Sequence, residues 1–317
     1  MNEIKSGYFW LNDLLKNKDK ILKDNNFYLK TGILNLDKYV KGLVEQQFYV
    51  LAARPSVGKT TFCLNLIVRS LRNLKNNEII VFFSLEMSSK EILNRLLKIL
   101  AFLWPKNEIE KLVEEKRLLI VDFPNSNVFK IGNFLDDLSK NFKIKSLIID
   151  HLQLLNLDKH QNNLPRYEKM TQITRQLKIL AKDKNINILA ISQLSRDFEK
   201  RNSAKTEIDV QLSDLRDSGS IEQDADVVMF LIVRKDLKDK DRYGLVISKN
   251  RNGSTEIIDS KFFKEKFLFC FKGDEFCKVC KNLIVDSKKT KLADGNFVCS
   301  EECLVNLKKI GENNELK

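Results

Sequence analysis

The stretch Leu51-Ala-Ala-Arg-Pro-Ser-Val-Gly-Lys-Thr-Thr61 limits what this chain can fold into more than any other part of it. It lies between Phe48–Ala52, a short apolar run of β-formers, and Thr61–Leu71, whose apolar residues recur at helical spacing. A strand, a tight turn ending in Gly58-Lys59-Thr60 and a helix, in that order, make a phosphate cradle. Backbone amides along Ala53, Arg54, Pro55, Ser56, Val57, Gly58, Lys59, Thr60 and Thr61, proline excepted, wrap a β-phosphate in such a loop. Lys59 neutralises the β/γ oxygens and the Thr60 hydroxyl holds a magnesium ion. The loop opens onto a helix N-terminus, where the dipole favours an anion. Ala53 stands where the general pattern has glycine. The expected ligand is a nucleoside triphosphate with Mg2+.

The 317 residues, 43% of them hydrophobic, suffice for one large α/β domain and a small appendage. Apolar runs bounded by turn signals occur at Ile79–Ser84, Leu118–Phe123, Ser146–Ile149, Ile186–Ile191, Val227–Val233 and Leu245–Ser248, with helical patterns between them. Ser88-Ser-Lys-Glu91 reads as a capping box, Asn127 as an N-cap, and Pro165 as the opening of a long helix to about Lys184. Buried strands alternating with helices predict a mostly parallel sheet covered on both faces, with ligands at the strands' carboxyl ends. No apolar run approaches the roughly 18 residues of a membrane span, and the N-terminus does not read as a signal peptide. The expectation is a cytoplasmic protein without a membrane partner. The net charge of +12 is weak evidence for a polyanionic partner, and most of the excess precedes Lys261.

Four further clusters fall where strand ends should place them. Glu86 follows the apolar strand of Phe82-Phe-Ser-Leu-Glu-Met87, where a carboxylate can act as general base on an attacking water; the plain alternative is a solvated loop glutamate. Asp150 ends Leu147-Ile-Ile-Asp150, as in a strand whose carboxylate orients magnesium, although Asp commonly ends strands. Gln193 ends Ile188-Leu-Ala-Ile-Ser-Gln193 and can sense a γ-phosphate by hydrogen bonding. Val246-Ile-Ser-Lys-Asn-Arg-Asn-Gly253 runs into an Asn-Gly turn with Lys249 and Arg251 at its tip, either solvated cations or an arginine finger. The polar segment Leu212–Asp226, with Arg216 and Gly219, can follow a nucleic-acid phosphate chain or be a solvated loop.

Two features lie outside this pattern. Residues Ser6–Asp24 carry leucines at helical spacing, which suits a short amphipathic helix packed on its own domain or an arm docked on a neighbouring subunit. Cys277-x-x-Cys280 and Cys299-x-x-x-Cys303 read as thiolate metal ligands, because disulfides are rare in reducing compartments. Cys63 and Cys270 read as core residues.

Taken in order, Ala-Arg-Pro-Ser-Val-Gly-Lys-Thr, Phe-Ser-Leu-Glu-Met, Ile-Asp-His-Leu-Gln-Leu, Ser-Gln-Leu-Ser-Arg, Ser-Asp-Leu-Arg-Asp-Ser-Gly-Ser-Ile-Glu-Gln-Asp-Ala-Asp and Lys-Asn-Arg-Asn-Gly resemble the motor domain of the DnaB-type bacterial replicative helicases. The resemblance runs from about Thr31 to Phe271. It implies a RecA-like P-loop domain over 31–271, preceded by a linker-type helix in 1–30 and followed by a four-cysteine module in 272–317. That family accepts Ala at the position of Ala53.

The resemblance also implies roles. Lys59 and Thr60 would take ATP phosphate and Mg2+, Glu86 would be the base, Asp150 would complete the magnesium shell and Gln193 would sense phosphate. Lys249 and Arg251 would act in trans on the adjacent subunit's site, and Arg216, Asp217 and Gly219 would track DNA. The whole would be a homo-hexameric ring moving 5′ to 3′ on single-stranded DNA and opening forks, with primase or a helicase loader as further partners. The tail resembles a treble-clef zinc finger, with Cys277, Cys280, Cys299 and Cys303 on Zn2+. Three positions depart from the family pattern: His151 stands for the usual Tyr, Asp217 for the usual Glu, and a Pro is missing before Leu212. The thirty residues ahead of the motor have room for the linker helix and not for the family's collar domain. The competing reading is a DNA-stimulated RecA-like ATPase that loads or mediates recombination without unwinding. A silent scaffold and a small-molecule kinase fit less well, since the lysine, the base and the arginine hairpin are all retained.

Overall fold

The computed structural model describes residues 28–104, 106–123, 126–157, 164–195, 198, 210–215, 218–234, 242–279, 283–284, 290–292, 296–298, 303–305 and 307. The helix expected over Ser6–Asp24, together with Arg216, Asp217, Cys280 and Cys299, lies outside them.

A small antiparallel pair, β1 (Tyr28–Leu29) and β2 (Leu43–Val44), opens the described chain. Nine strands follow: β3 (Phe48–Ala53), β4 (Glu78–Ser84), β5 (Leu118–Val121), β6 (Lys143–Asp150), β7 (Asn187–Gln193), β8 (Val227–Val233), β9 (Arg242–Asn250), β10 (Glu256–Phe263) and β11 (Leu268–Phe271). They form one sheet in the order β11-β10-β9-β8-β3-β7-β6-β4-β5, and it organises the domain. Two short antiparallel pairs come after it, β12 (Glu275–Phe276) with β13 (Leu283–Ile284) and β14 (Thr290–Lys291) with β15 (Phe297–Val298). From β8 to β5 every pairing is parallel. Successive residues of β3 go to opposite faces: Tyr49, Leu51 and Ala53 join one buried cluster, Phe48, Val50 and Ala52 the other. That period of two, with no polar face, is why the strand reads as a continuous apolar run.

Helices α1 (Leu34–Val40), α2 (Lys59–Ser70), α3 (Ser89–Leu103), α4 (Lys106–Glu114), α5 (Val128–Ser139), α6 (Arg166–Asp183) and α7 (Ser218–Asp224) lie between the strands. The first face is covered by α2 and by Ile92, Leu96, Ile99 and Leu103 of α3. On the second, α5 contributes Val128, Ile131 and Leu135, and α6 contributes Met170, Ile173, Leu177 and Leu180. The capping box is formed at α3: Glu91 N–H donates to Ser88 Oγ and Ser88 N–H to the Glu91 carboxylate. Asn127 caps α5 by accepting from Lys130 N–H at 2.8 Å. Pro165 is the residue before the first turn of α6.

Two expectations change. The strand read over Leu118–Phe123 stops at Val121, and Asp122 instead accepts a hydrogen bond from Ser89 N–H at the start of α3. The run at Leu245–Ser248 belongs to a longer antiparallel wing, β9–β10–β11, folded back from β8. In β10 the outer residues are exposed while Ile258, Ser260 and Phe262 are buried, so its pattern is half polar. This wing lies over α2: Phe62 meets Phe269 and Phe271 edge-on at 5.5 and 6.1 Å, and Phe262 stacks on Phe269 at 4.2 Å. Arg69, at the end of α2 and 2% exposed, pairs with both oxygens of Asp274 at 3.0 and 2.7 Å and donates to the Phe269 carbonyl. The residues leading into the cysteine-bearing segment are thus tied to the P-loop helix. Cys63 is buried in the core as expected, whereas Cys270 is half-buried and packs against the core from its margin.

Candidate active site

The sheet registers bring the predicted residues to one edge. Ala53 is level with Gln193, Ile149 with Ala190, and Asp150 with Ser84. The carboxyl ends of β3, β7, β6 and β4 therefore stand side by side where α/β sheets bind ligands.

Leaving β3 at buried Ala53, the chain exposes Arg54, Pro55 and Ser56, half-buries Val57 and Gly58, and buries Lys59, Thr60 and Thr61 as α2 begins. Gly58 has φ 101°, a conformation that a side chain resists, which is why glycine stands there. Lys59 Nζ donates to the Arg54 carbonyl at 3.2 Å, folding the lysine over the loop. Burial lowers its pKa, and the Asp150 and Glu86 carboxylates oppose that shift. A lysine held this way is bonded to a carbonyl and feels its carboxylates only at a distance, and phosphate would supply a direct ion pair.

Thr60 Oγ1 donates to Asp150 Oδ2 at 2.5 Å. The other oxygen, Asp150 Oδ1, is buried with no hydrogen-bond partner among the described residues. Burial raises the Asp150 pKa, against the Thr60 hydrogen bond. A hydroxyl and an unsatisfied buried carboxylate oxygen form a hard-oxygen donor set that fits Mg2+. Glu86, two residues beyond β4, is half-exposed, and its neighbour Leu85 N–H donates to the Asp150 carbonyl at 2.7 Å. Glu86, Asp150 and His151 each offer a ligand atom within 4.8 Å of the others.

His151 is a residue whose part the sequence reading missed. Its Nδ1 lies 3.0 Å from Glu86 Oε2 and its Nε2 lies 3.3 Å from Gln193 Nε2. The ring is 5% exposed, and burial lowers its pKa against the pull of Glu86 and Asp150. The only local sign was its place directly after Asp150.

Lys249 and Arg251 do not join this cluster. Val228 is level with Lys249 and Val227 with Asn250, while Val227 is level with Tyr49, so both cations sit at the amino edge of the parallel strands. Arg251, one residue past Asn250, is level with the start of β3, whose five steps from Phe48 to Ala53 at about 3.3 Å each put roughly 17 Å along the strand between it and the P-loop; Lys249, level with Val50, is about 10 Å away along the strand. Lys249 lies inside β9, not at the tip expected, and donates to the Glu222 carbonyl. Burial lowers its pKa, with Arg251 adding to the effect. Arg251 donates to the Gln223 carbonyl at 2.7 Å and to Asp226 Oδ1 at 3.3 Å. Both carbonyls belong to the last turn of α7, a favourable place for cations. Asp226 itself is 5% exposed and accepts from Phe48 N–H and Lys178. Gly253 is needed for space: a Cβ there would stand 2.6 Å from the Tyr39 carbonyl oxygen. Gly219 lies in α7, where a Cβ would meet the Tyr167 ring.

In the cysteine-bearing segment Cys277 bridges Phe297 in parallel, and Lys278 N–H donates to the Phe297 carbonyl at 2.8 Å. The Cys277 knuckle is therefore beside β15, the strand that leads to Cys299. Cys277 is buried and Cys303 half-buried.

A parallel sheet, a glycine-pivoted phosphate loop and an acidic cluster at its carboxyl edge define a RecA-like P-loop nucleotide-binding domain. Residues 28–270 match the model of the DnaB-like helicase C-terminal domain. The chain belongs to that family. It is 33% identical over 262 residues to the replicative DNA helicase DnaB of Mycoplasma pneumoniae, covering 74% of this chain and 54% of that protein. Among solved structures, an isolated ATPase domain superposes with a TM-score of 0.70 at 26% identity, covering 84% of this chain and 99% of that one. A DnaB-like replicative helicase, solved in a study of its interactions with primase, superposes with a TM-score of 0.67 at 26% identity, over 84% and 68% of the two chains. The chain spans about half the length of the curated relatives it matches. No helix among the described residues is long and apolar enough to cross a membrane.

Proposed function

We propose that this chain is the motor of a ring-forming, ATP-driven replicative DNA helicase that moves 5′ to 3′ on single-stranded DNA and opens forked duplex. The observation that carries this reading is the separation of Lys59, Thr60, Glu86, Asp150, His151 and Gln193 at one edge of the sheet from Lys249 and Arg251 at the other. A cation roughly 17 Å from its own phosphate loop serves hydrolysis only on a neighbour's nucleotide. That requires a head-to-tail assembly, which gives a ring where the rotation between subunits closes.

In this reading Lys59 and the loop amides grip the triphosphate. Thr60 and Asp150 would hold Mg2+, which when bound would supply charge neutralisation to the phosphates. Glu86 accepts the proton of the attacking water, Gln193 donates to the γ-phosphate, and the neighbour's Arg251 and Lys249 stabilise charge on the departing phosphoryl group. Arg216, Asp217 and Gly219 follow the DNA backbone at the head of α7, whose other end holds Arg251. Residues 1–30 form a linker helix that docks on the adjacent subunit of a hexamer, 31–271 the motor, and 272–317 a zinc module that folds around one Zn2+ on Cys277, Cys280, Cys299 and Cys303. The Cys277–Phe297 bridge supports that ligand set, since it brings Cys277 beside the strand that precedes Cys299 in sequence. Primase or a loader would join from the cytoplasm, where the ring works on the nucleoid.

Hydrolysis by the purified chain with and without single-stranded DNA, alongside displacement of a 5′-tailed fork, tests the reading. DNA-stimulated hydrolysis with unwinding, both absent in Lys59→Ala, is expected. Stimulated hydrolysis without strand displacement moves the protein to the loader or mediator class. Metal analysis should find one zinc per chain, lost in Cys277→Ser, and light scattering should find the hexamer lost on deleting residues 1–28.

A further inference from the structure

Three side chains at the nucleotide edge form a line that no hydrolytic role yet explains. His151 stands between Glu86, 3.0 Å from its Nδ1, and Gln193, whose amide nitrogen is 3.3 Å from its Nε2. Gln193 donates, so Nε2 accepts and the ring proton is on Nδ1, facing the Glu86 carboxylate. The two ends differ in freedom. His151 is 5% exposed and held between β6 and β7, while the Glu86 side chain is 52% exposed. His151 Nδ1 makes no full hydrogen bond among the described residues, although two carboxylates face it, Glu86 at 3.0 Å and Asp150 Oδ1 at 3.8 Å.

We propose that His151 is a positioning residue that couples the phosphate sensor to the general base, with Gln193 orienting the imidazole and the imidazole orienting the Glu86 carboxylate. The proposal rests on the assignment of Glu86 as base and Gln193 as sensor. The amide of Gln193 has two N–H bonds. One goes to His151 Nε2 and the other is left for a phosphate at the neighbouring β3 loop, since Gln193 is level with Ala53. A γ-phosphate that takes the second N–H fixes the amide, the amide fixes the ring, and the small rotation of Glu86 needed to line up with Nδ1–H aims its free oxygen at the water. Catalytic hydrogen bonds of this kind commonly tighten only with substrate in place. A tyrosine in this position would donate and accept at a single hydroxyl oxygen, whereas the imidazole does so at two nitrogens on different edges of its ring.

The test is a kinetic double-mutant cycle on DNA-stimulated ATP hydrolysis. His151→Leu should lower kcat about 10- to 100-fold, the range typical of removing a group that orients a reacting residue, with KM for ATP within about twofold. His151→Gln, which keeps a donor and an acceptor at similar reach, should recover part of kcat. His151→Leu added to Gln193→Ala should cost little more than Gln193→Ala alone, because both cut one line. A His151→Leu protein that melts early is set aside in favour of His151→Gln against His151→Met, where only the hydrogen-bonding variant should retain activity. Unchanged kcat in His151→Leu, additive losses in the double mutant, or equal activity in His151→Gln and His151→Met would overturn the proposal. Glu86→Gln is run in parallel: if it stays active, the base assignment has failed, whereas an inactive Glu86→Gln beside a fully active His151→Leu rejects the coupling alone.

Discussion

The carboxyl edge of the parallel strands and the amino edge beside the antiparallel wing carry charge in opposite ways. At the first edge Lys59, Thr60, Asp150 and His151 are all below 10% exposed and lean on one another, with Asp150 Oδ1 left unsatisfied. At the second, Lys249 and Arg251 are bonded to the last-turn carbonyls of α7, and Arg251 remains half-exposed. The first edge has buried polar capacity that only a ligand completes. The second holds its cations through bonds that a stronger anion can replace. One edge keeps a buried carboxylate oxygen without a partner among the described residues, the other holds two cations on its own α7 and Asp226, and the proposed split active site would use both.

The contrast between the edges breaks most clearly at Arg251. Arg251→Ala should reduce DNA-stimulated hydrolysis by about 10³-fold or more, the scale of an arginine finger, while ATP binding measured by fluorescent-analogue titration stays near wild type. Parallel loss of binding and hydrolysis would place Arg251 in its own subunit's site. Glu86→Gln should lower kcat by about 10²- to 10⁴-fold with nucleotide still bound, as removal of a general base does. Normal kcat would leave the water to another residue.

A stability measurement sharpens the contrast. Arg69 and Asp274 bind the P-loop helix to the wing's end through a pair with side-chain exposures of 1% and 11%. Breaking a buried pair by removing one partner costs about 3–5 kcal/mol, so Asp274→Ala should lower the urea midpoint by a corresponding amount. A loss below about 1 kcal/mol would mean that the wing and α2 are not one cooperative unit.

The smallest effect is on thiol chemistry. Cys270 lines a groove of about 790 Å³, and burial with Asp274 nearby pushes its thiol up to about 12. The thiolate is the reactive form, so maleimide labelling followed by peptide mass mapping should find Cys270 slow at pH 7, with a rate rising about tenfold per pH unit toward 9. Cys63, in α2, should label only on global unfolding. Labelling of both at one rate would contradict the difference in burial between α2 and the wing.

Much of the first edge was legible in the sequence, because β3, the loop and α2 each carry a local signal: an apolar run, a glycine that needs positive φ, and a helical period. Glu86, Asp150 and Gln193 were readable as polar residues that end apolar strands. His151 was not, since its placement depends on β4, β6 and β7 converging, and no local pattern marks that. Of the antiparallel wing, the Leu245–Ser248 run and the Asn-Gly turn were read, and β10 was missed, since it spends every other side chain on solvent and carries no continuous apolar run. Lys249 and Arg251 were legible as hairpin cations, but their attachment to α7 and Asp226 depends on contacts across more than twenty residues.

Subunit mixing tests the split site most directly. Glu86→Gln lacks its own base and keeps the cations, while Arg251→Ala keeps its base and lacks the finger. Random assembly of equal amounts restores both halves at about a quarter of the interfaces in a closed ring. Hydrolysis should therefore reappear, above either variant alone, when the two inactive proteins are combined with ATP and single-stranded DNA. A mixture as inactive as its parts, with mixed oligomers verified by tagged pull-down, would contradict a site shared between subunits.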